Sequence, residues 1–325
     1  MSLSNTENGK AYEYACLIAL KDCLSQQSNG NVSVVSSDAY STAQKAFEKA
    51  EMLGCSDNLI QAANAAARVI LRLEPQLQYG SGDLTLVIQT DAQGIAGDVR
   101  DVVCIRKTNG WEIGLSCKHN HHAVKHSRLS ETIDFGADWL GIPCSQKYFD
   151  QVRPIFQELR NLKDKAVADG LDVPQWNAIS DKAERYYIPV LNAFLEEMRR
   201  LAETNPLIPE KLIKYMLGRY DFYKVITDDS HRTTRVEAVN IAGTLNKSAG
   251  KHRSIVDVPK LRLPTRFYHM GFMPGSDNKI EIVCDEGWAL TMRIHNASSK
   301  IEPSLKFDVR LISLPSSIHA QVEPW

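Results

Sequence analysis

Apolar and polar positions follow two rhythms that alternate along the chain. Residues 9–26 place Tyr12, Ala15, Cys16, Ala19 and Leu20 at helical spacing, which predicts an amphipathic helix, with Asn8 as its cap. Two more helices are predicted near 40–53 and 57–73, the second rich in alanine. The period then shortens to two: LTLVIQT at 84–90, VRDVVCIR at 99–106 and WEIGLSCK at 111–118 read as strands. A Gly-containing turn at 94–97 separates the first two, and Asn109-Gly110 closes the last pair as a hairpin. Helical spacing returns near 123–140, over 145–168 and 176–204, and briefly over 209–217. Beyond Tyr220 the pattern is mostly strands, at 221–227, 233–239, 263–271, 279–284, 287–295 and 305–312. This order predicts an α/β (α+β) fold: a catalytic region with a helical insertion over 1–218, then a β-rich region over 219–325.

The composition adds few restrictions. The 325 residues are 43% hydrophobic and 24% charged, an ordinary globular balance that excludes disordered and collagen-like chains. None of the seven cysteines falls in a CxxC pair, which suits reduced thiols in a cytoplasmic protein. The polar amino terminus lacks the apolar stretch of a signal peptide, and no apolar run is long enough for a membrane span. The net charge of -1 hides local asymmetry, since residues 231–266 hold eight Lys or Arg against two acids.

The chemistry concentrates on the predicted hairpin. Asp101 opens one strand and Lys118 ends its partner, a compact way to hold a divalent cation beside a phosphate. Glu112, Gly114, Ser116 and Lys118 share a face. Glu112 is six residues from Lys118, roughly 20 Å at about 3.3 Å per residue, too far to share a metal. Ser116 is near enough, but its hydroxyl is a poor ligand for a hard cation. A second carboxylate must therefore come from elsewhere. Glu131 follows Lys118 with twelve residues between, and Asp134 would share its helix face. Glu13 on the first helix is a further choice. The order of preference is Glu131, Glu13, Asp134, with Ser116 a small residue making room beneath the carboxylate. Asp98 reads equally as a metal ligand or a turn cap. The histidines at 119–126 lack zinc-ligand spacing and a cysteine pair, and the letters His119-Asn120-His121 alone do not make an HNH centre.

Asp101, Ser116-Cys117-Lys118 and Glu131 resemble the PD-(D/E)xK nuclease superfamily, in the variant whose acidic ligand has moved to the following helix; Arg100 stands where Pro is usual. Gly9-Lys10-Ala11-Tyr12-Glu13 is similar to the first-helix motif of such nucleases. The blocks GKAYEYACL at 9–17, GDVRDVV at 97–103, WEIGLSCKHNHHAVKHSRLS at 111–130 and RIHNASSKIEPSLKFDVRLI at 293–312 resemble the HaeIII family of type II restriction endonucleases. That resemblance implies a nuclease-like mixed sheet flanked by helices, Mg2+ as cofactor, no nucleotide cofactor, and double-strand cleavage within GGCC.

A duplex DNA partner directs attention to donors. Residues 118–128 carry four of the nine histidines and no acid; His119, Asn120, His121, Lys125, His126, Ser127 and Arg128 are expected on phosphates or base edges. In the β-rich region Arg293, His295, Asn296, Ser299, Lys300 and Lys306 form a second donor cluster. A palindromic target suits a homodimer. The alternatives are a structure-specific or repair nuclease of the same fold, or a DNA-binding protein without activity.

Overall fold

The computed structural model describes residues 2–90, 92–93, 97–120, 123–125 and 127–325, with the backbone path alone for 123–125. The chain divides into two compact units. The first holds residues 1–122, 218–262 and 316–325; the second holds 123–217 and 263–315.

The first unit is built on a seven-stranded mixed sheet in the order β1-β2-β3-β4-β7-β8-β13. Its strands are β1 (Val32–Val34), β2 (Leu84–Ile88), β3 (Val102–Arg106), β4 (Trp111–His119), β7 (Phe222–Asp228), β8 (Thr233–Val239) and β13 (His319–Pro324). β1 with β2 and β4 with β7 run parallel, and the other neighbours antiparallel. Helices α1 (Asn5–Ser25), α2 (Asp38–Met52) and α3 (Ser56–Leu73) pack on one face. The face is set by alternation: Val102 and Cys104 of β3, Ile113, Leu115 and Cys117 of β4, and Tyr223 and Val225 of β7 enter the helical core. Ser116 and Lys118 therefore point to the opposite face. On α3 the buried Ala62, Ala63, Ala66 and Ala67 keep its packed side small. A short helix α4 (Pro75–Tyr79) follows it.

The predicted helix at 9–26 begins earlier than its pattern suggests. Ser4, not Asn8, is the cap: its hydroxyl accepts from the Glu7 N–H at 3.3 Å while the Glu7 carboxylate accepts from the Ser4 N–H at 2.8 Å. The predicted hairpin is present, although a short 3-10 turn over Lys107–Asn109 precedes Gly110, whose φ of 66° is the left-handed conformation glycine favours. Most of the predicted turn at 94–97 lies outside the described residues.

The second unit has a five-strand path β5-β12-β11-β10-β9, with β6 also paired to β12. These are β5 (Ala123–Lys125), β6 (Arg128–Ser130), β9 (Phe267–Phe272), β10 (Lys279–Cys284), β11 (Ala289–His295) and β12 (Ser304–Ser313). Helices α5 (Gln146–Ala168), α6 (Ile188–Thr204) and α7 (Ile208–Leu217) accompany them. Phe135, Trp139, Tyr148, Phe194 and Phe307 pack ring against ring in its core.

Two expectations change here. The helix expected near 123–140 is instead β5, β6 and one π-helical turn over Gly136–Leu140, because β12 offers both short segments a strand to pair with. The stretch 176–204 is likewise not one helix: a 3-10 turn at Trp176–Ala178 and a π turn at Ala183–Tyr187 precede α6. The boundary expected at 218 is one of the four places where the chain passes between units, and the strands beyond it divide: β7, β8 and β13 belong to the first sheet, β9 to β12 to the second.

Candidate active site

The β3–β4 register sets Val102 opposite Leu115, so the residue before β3 comes level with the end of β4. There Asp101 is tied on both sides, its N–H donating to the Leu115 carbonyl at 2.7 Å and its carbonyl accepting from the Gln89 N–H at 2.9 Å. Its Oδ2 accepts from the Cys117 N–H at 2.6 Å and from Lys118 Nζ at 3.2 Å. The two side chains are about a quarter exposed, Asp101 at 23% and Lys118 at 27%, open enough for an incoming ligand. Burial opposes the Lys118 charge, yet Asp101, with Glu13 beyond it, holds the ammonium above its ordinary pKa.

Helix α1 brings Glu13 to this place. It is buried, its Oε2 accepting from Lys10 Nζ at 3.1 Å one helical turn back. Burial first and the Asp101 charge second push its carboxyl up to about 7, against the pull of Lys10 and Lys118. Two carboxylates, each with one lysine against it, thus feel one another in a partly dry corner. A hard divalent cation suits such a set, filling its remaining positions with water and phosphate oxygens. Among the described residues no three His, Cys, Asp or Glu side chains form a metal cluster by themselves.

The other expected ligands are engaged differently. Asp98 forms a two-pronged pair with Arg100, both contacts 2.8 Å, and accepts from Gln89 Nε2 at 2.8 Å. Burial would raise its pKa, but these donors lower it below the ordinary value. Glu131 belongs to the second unit, follows β6 in a bend and pairs with Arg160. Asp134 accepts from the Ala137 and Cys144 N–H groups, each at 2.9 Å, and so holds the π turn. Glu131 and Asp134 do not share a helix face, since the helix that would align them is absent. Ser116 is buried on the face it shares with Lys118.

The expected DNA donors scatter. His119 Nε2 lies 3.0 Å from Asp229 Oδ2, and Asn120 both donates to that carboxylate and accepts from the Asp229 N–H, each at 3.1 Å. His121 and His126 lie outside the described residues, as does the Lys125 side chain. Ser127 donates to the Tyr215 hydroxyl at 3.2 Å, and Arg128 reaches Glu302 and Ser304, both at 2.9 Å. Arg293 pairs with Asp308 at 2.7 Å and Lys300 with Asp172 at 3.0 Å, leaving both cations on the surface. His295 Nδ1 is 2.7 Å from the Asn296 carbonyl. Asn296 is buried and braces its loop, donating to the Ser298 and Lys300 carbonyls and accepting from the Glu302 N–H. Ser299 is exposed and Lys306 half-buried.

The family model for the HaeIII restriction endonuclease matches residues 9–315. The type II restriction enzyme HaeIII of Haemophilus aegyptius is 39% identical over 326 residues, covering 100% of this chain and 99% of that protein. The chain belongs to the HaeIII restriction endonuclease family. As a HaeIII-family protein it is a type II restriction endonuclease, a site-specific deoxyribonuclease. No solved structure matches it. No helix among the described residues is long and apolar enough to cross a membrane.

Sequence reasoning passed over one row of this HaeIII-family sheet. Ser116 of β4 lies opposite Lys224 of β7, which lies opposite Glu237 of β8, and Arg235 donates to Glu237 at 2.6 Å. Lys224 and Glu237 are both buried. Burial lowers the Lys224 pKa although Glu237 opposes it. The signal was a lone lysine inside the apolar run FYKVI at 222–226.

Proposed function

We propose that this protein cuts both strands of duplex DNA at a short palindromic site, GGCC on the pattern of its family, by Mg2+-dependent phosphodiester hydrolysis at Glu13, Asp101 and Lys118. The observation that carries this is the Asp101–Lys118 pair, closed by a backbone N–H, with a second carboxylate beside it whose pKa is raised to about 7. Asp101 and Glu13 would hold the metal. When bound, Mg2+ supplies a Lewis acid for the phosphoryl oxygen and an acidified water. Lys118 donates to the phosphate as its charge grows, and Asp101 keeps that ammonium protonated and aimed. Glu13 is favoured over Glu131 because it lies within the electrostatic reach of Asp101 and Lys118, whereas Arg160 holds Glu131. The enzyme would act as a cytoplasmic homodimer, matching its two-fold symmetry to the palindrome. The exposed cations Arg128, Arg293 and Lys300 would lie along the phosphates.

Plasmid digestion tests this reading. Discrete bands whose sequenced ends all fall within GGCC are expected with Mg2+, and none with EDTA. Heterogeneous nicking would indicate a structure-specific nuclease, and binding without cutting an inactive DNA-binding protein. The metal requirement should depend on pH with a definite sign. Glu13 must lose its proton to bind a cation, so below about 7 the proton competes. The Mg2+ concentration for half-maximal rate should fall as pH rises towards 7, by up to about tenfold per pH unit, and level off above it. A requirement that is flat from pH 5.5 to 8 contradicts the role given to Glu13.

A further inference from the structure

Asp101 is the residue before β3, tied by its backbone to Leu115 and Gln89 and by its carboxylate to the Cys117 N–H. The residue before it carries a larger set of contacts than a connecting residue needs. Arg100 is buried, 6% exposed. Its guanidinium grips Asp98 through Nε and a terminal nitrogen, both at 2.8 Å, and its other terminal nitrogen donates to Glu112 of β4 at 2.8 Å. The Tyr220 ring lies against the same group, 4.0 Å from ring centre to guanidinium carbon. The aliphatic part of the side chain crosses β4 directly over Gly114. A Cβ there would stand 2.2 Å from Arg100 Cδ, 2.5 Å from Cγ and 2.7 Å from Cβ. Glycine at 114 is thus a gap that the arginine fills. Burial works against the Arg100 charge, but Asp98 and Glu112 more than compensate.

We propose that Arg100 is the positioning residue for Asp101: it pins residues 98–100 across β4 so that the Asp101 carboxylate meets its cation at a fixed point. Arg100 thus adds a tie to Glu112 of β4 beside those that Asp101 itself makes to Leu115 and Cys117 of the same strand. A metal site needs this kind of support, because a ligand free to swing pays its ordering entropy on each binding event. The proposal rests on the reading of Asp101 as a metal ligand.

The test measures the Mg2+ concentration for half-maximal single-turnover cleavage in Arg100→Lys, Gly114→Ala and Glu112→Gln, beside melting temperature and DNA affinity without metal. Arg100→Lys keeps the charge but loses the two-pronged grip, and Gly114→Ala displaces the side chain without touching its partners. Each should raise the Mg2+ midpoint about tenfold or more, in line with losses at groups that orient metal ligands. Excess Mg2+ should restore most of the rate, and DNA affinity should stay within about twofold. Glu112→Gln keeps the buried Arg100–Asp98 pair and with it the fold, and should raise the midpoint less but measurably. A midpoint unchanged in Glu112→Gln, or a lowered melting temperature with an unchanged midpoint in the other two, overturns the proposal. Asp101→Asn is the control: if it cuts at the parent rate, the reading of the metal site fails, whatever Arg100 does.

Discussion

Asp101→Asn and Lys118→Ala should each reduce cleavage at least about 10²-fold, the usual cost of removing a group that meets charge developing in the transition state, while binding to the specific duplex persists. The two substitutions act on one unit. Asp101 accepts from the Cys117 N–H and Lys118 Nζ, so the neutral amide presents a donor or a weaker acceptor to both. It also removes the charge that keeps Lys118 protonated despite burial. Alanine at 118 leaves Asp101 and Glu13 facing each other with one cation fewer, which raises the Glu13 carboxyl further because Lys118 is among the groups that lower it. The double variant should lose little beyond either single one, as residues that work as a unit are not additive. The check is single-turnover cleavage of a labelled duplex with binding measured in parallel. A rate within about tenfold of the parent for either variant would remove that residue from the centre.

The second large effect is on stability. Arg106, at the end of β3, is fully buried. It donates to the carbonyls of Gln76 and Leu77, both at 2.7 Å, of Asn29 at 3.2 Å and of Gly82, and to the Ser28 hydroxyl at 2.8 Å. These acceptors lie in the loop after α1, on α4 and on the turn before β2, so one guanidinium ties three segments together. Burial depresses its pKa, against the pull of Asp83. Arg106→Met should cost about 3–5 kcal/mol, because several buried acceptors lose their donor at about 1–3 kcal/mol each. Urea unfolding measures it as a lower midpoint at unchanged slope. A loss under about 1 kcal/mol, the worth of a typical single hydrogen bond, would mean that water replaces Arg106 among those carbonyls.

The hairpin that carries Asp101 and Lys118 was legible because it rests on local period-two alternation. LTLVI alternates between buried and half-buried positions, whereas VVCIR and WEIGLSCK bury the helix-facing set Val102, Cys104, Ile113, Leu115 and Cys117 and most of the other face as well. What failed was non-local. β5 and β6 are three residues each and exist by pairing with β12, about 180 positions later. The Glu131–Asp134 alignment fell with the helix that those strands replace. β13 alternates between half-buried and exposed positions without an apolar face, so nothing in HAQVEP announced a strand. The α1 cap was placed at Asn8 although the local signal, Ser4 followed by Glu7 three residues on, was there. Arg100 is the instructive case. Where the superfamily pattern has Pro, its charge reads as a departure, and only the gap at Gly114 shows what fills it.

The claim that the cutting centre is Glu13, Asp101 and Lys118 is tested most directly by single-turnover cleavage over a Mg2+ titration in Glu13→Gln and Glu131→Gln. Loss of Glu13 should abolish cutting or move the metal requirement strongly upward, since one carboxylate of a sparse oxygen shell is gone. Glu131→Gln should keep the parent's rate and metal dependence, its carboxylate being taken by Arg160. Parent-like cleavage by Glu13→Gln together with a dead Glu131→Gln would contradict the account.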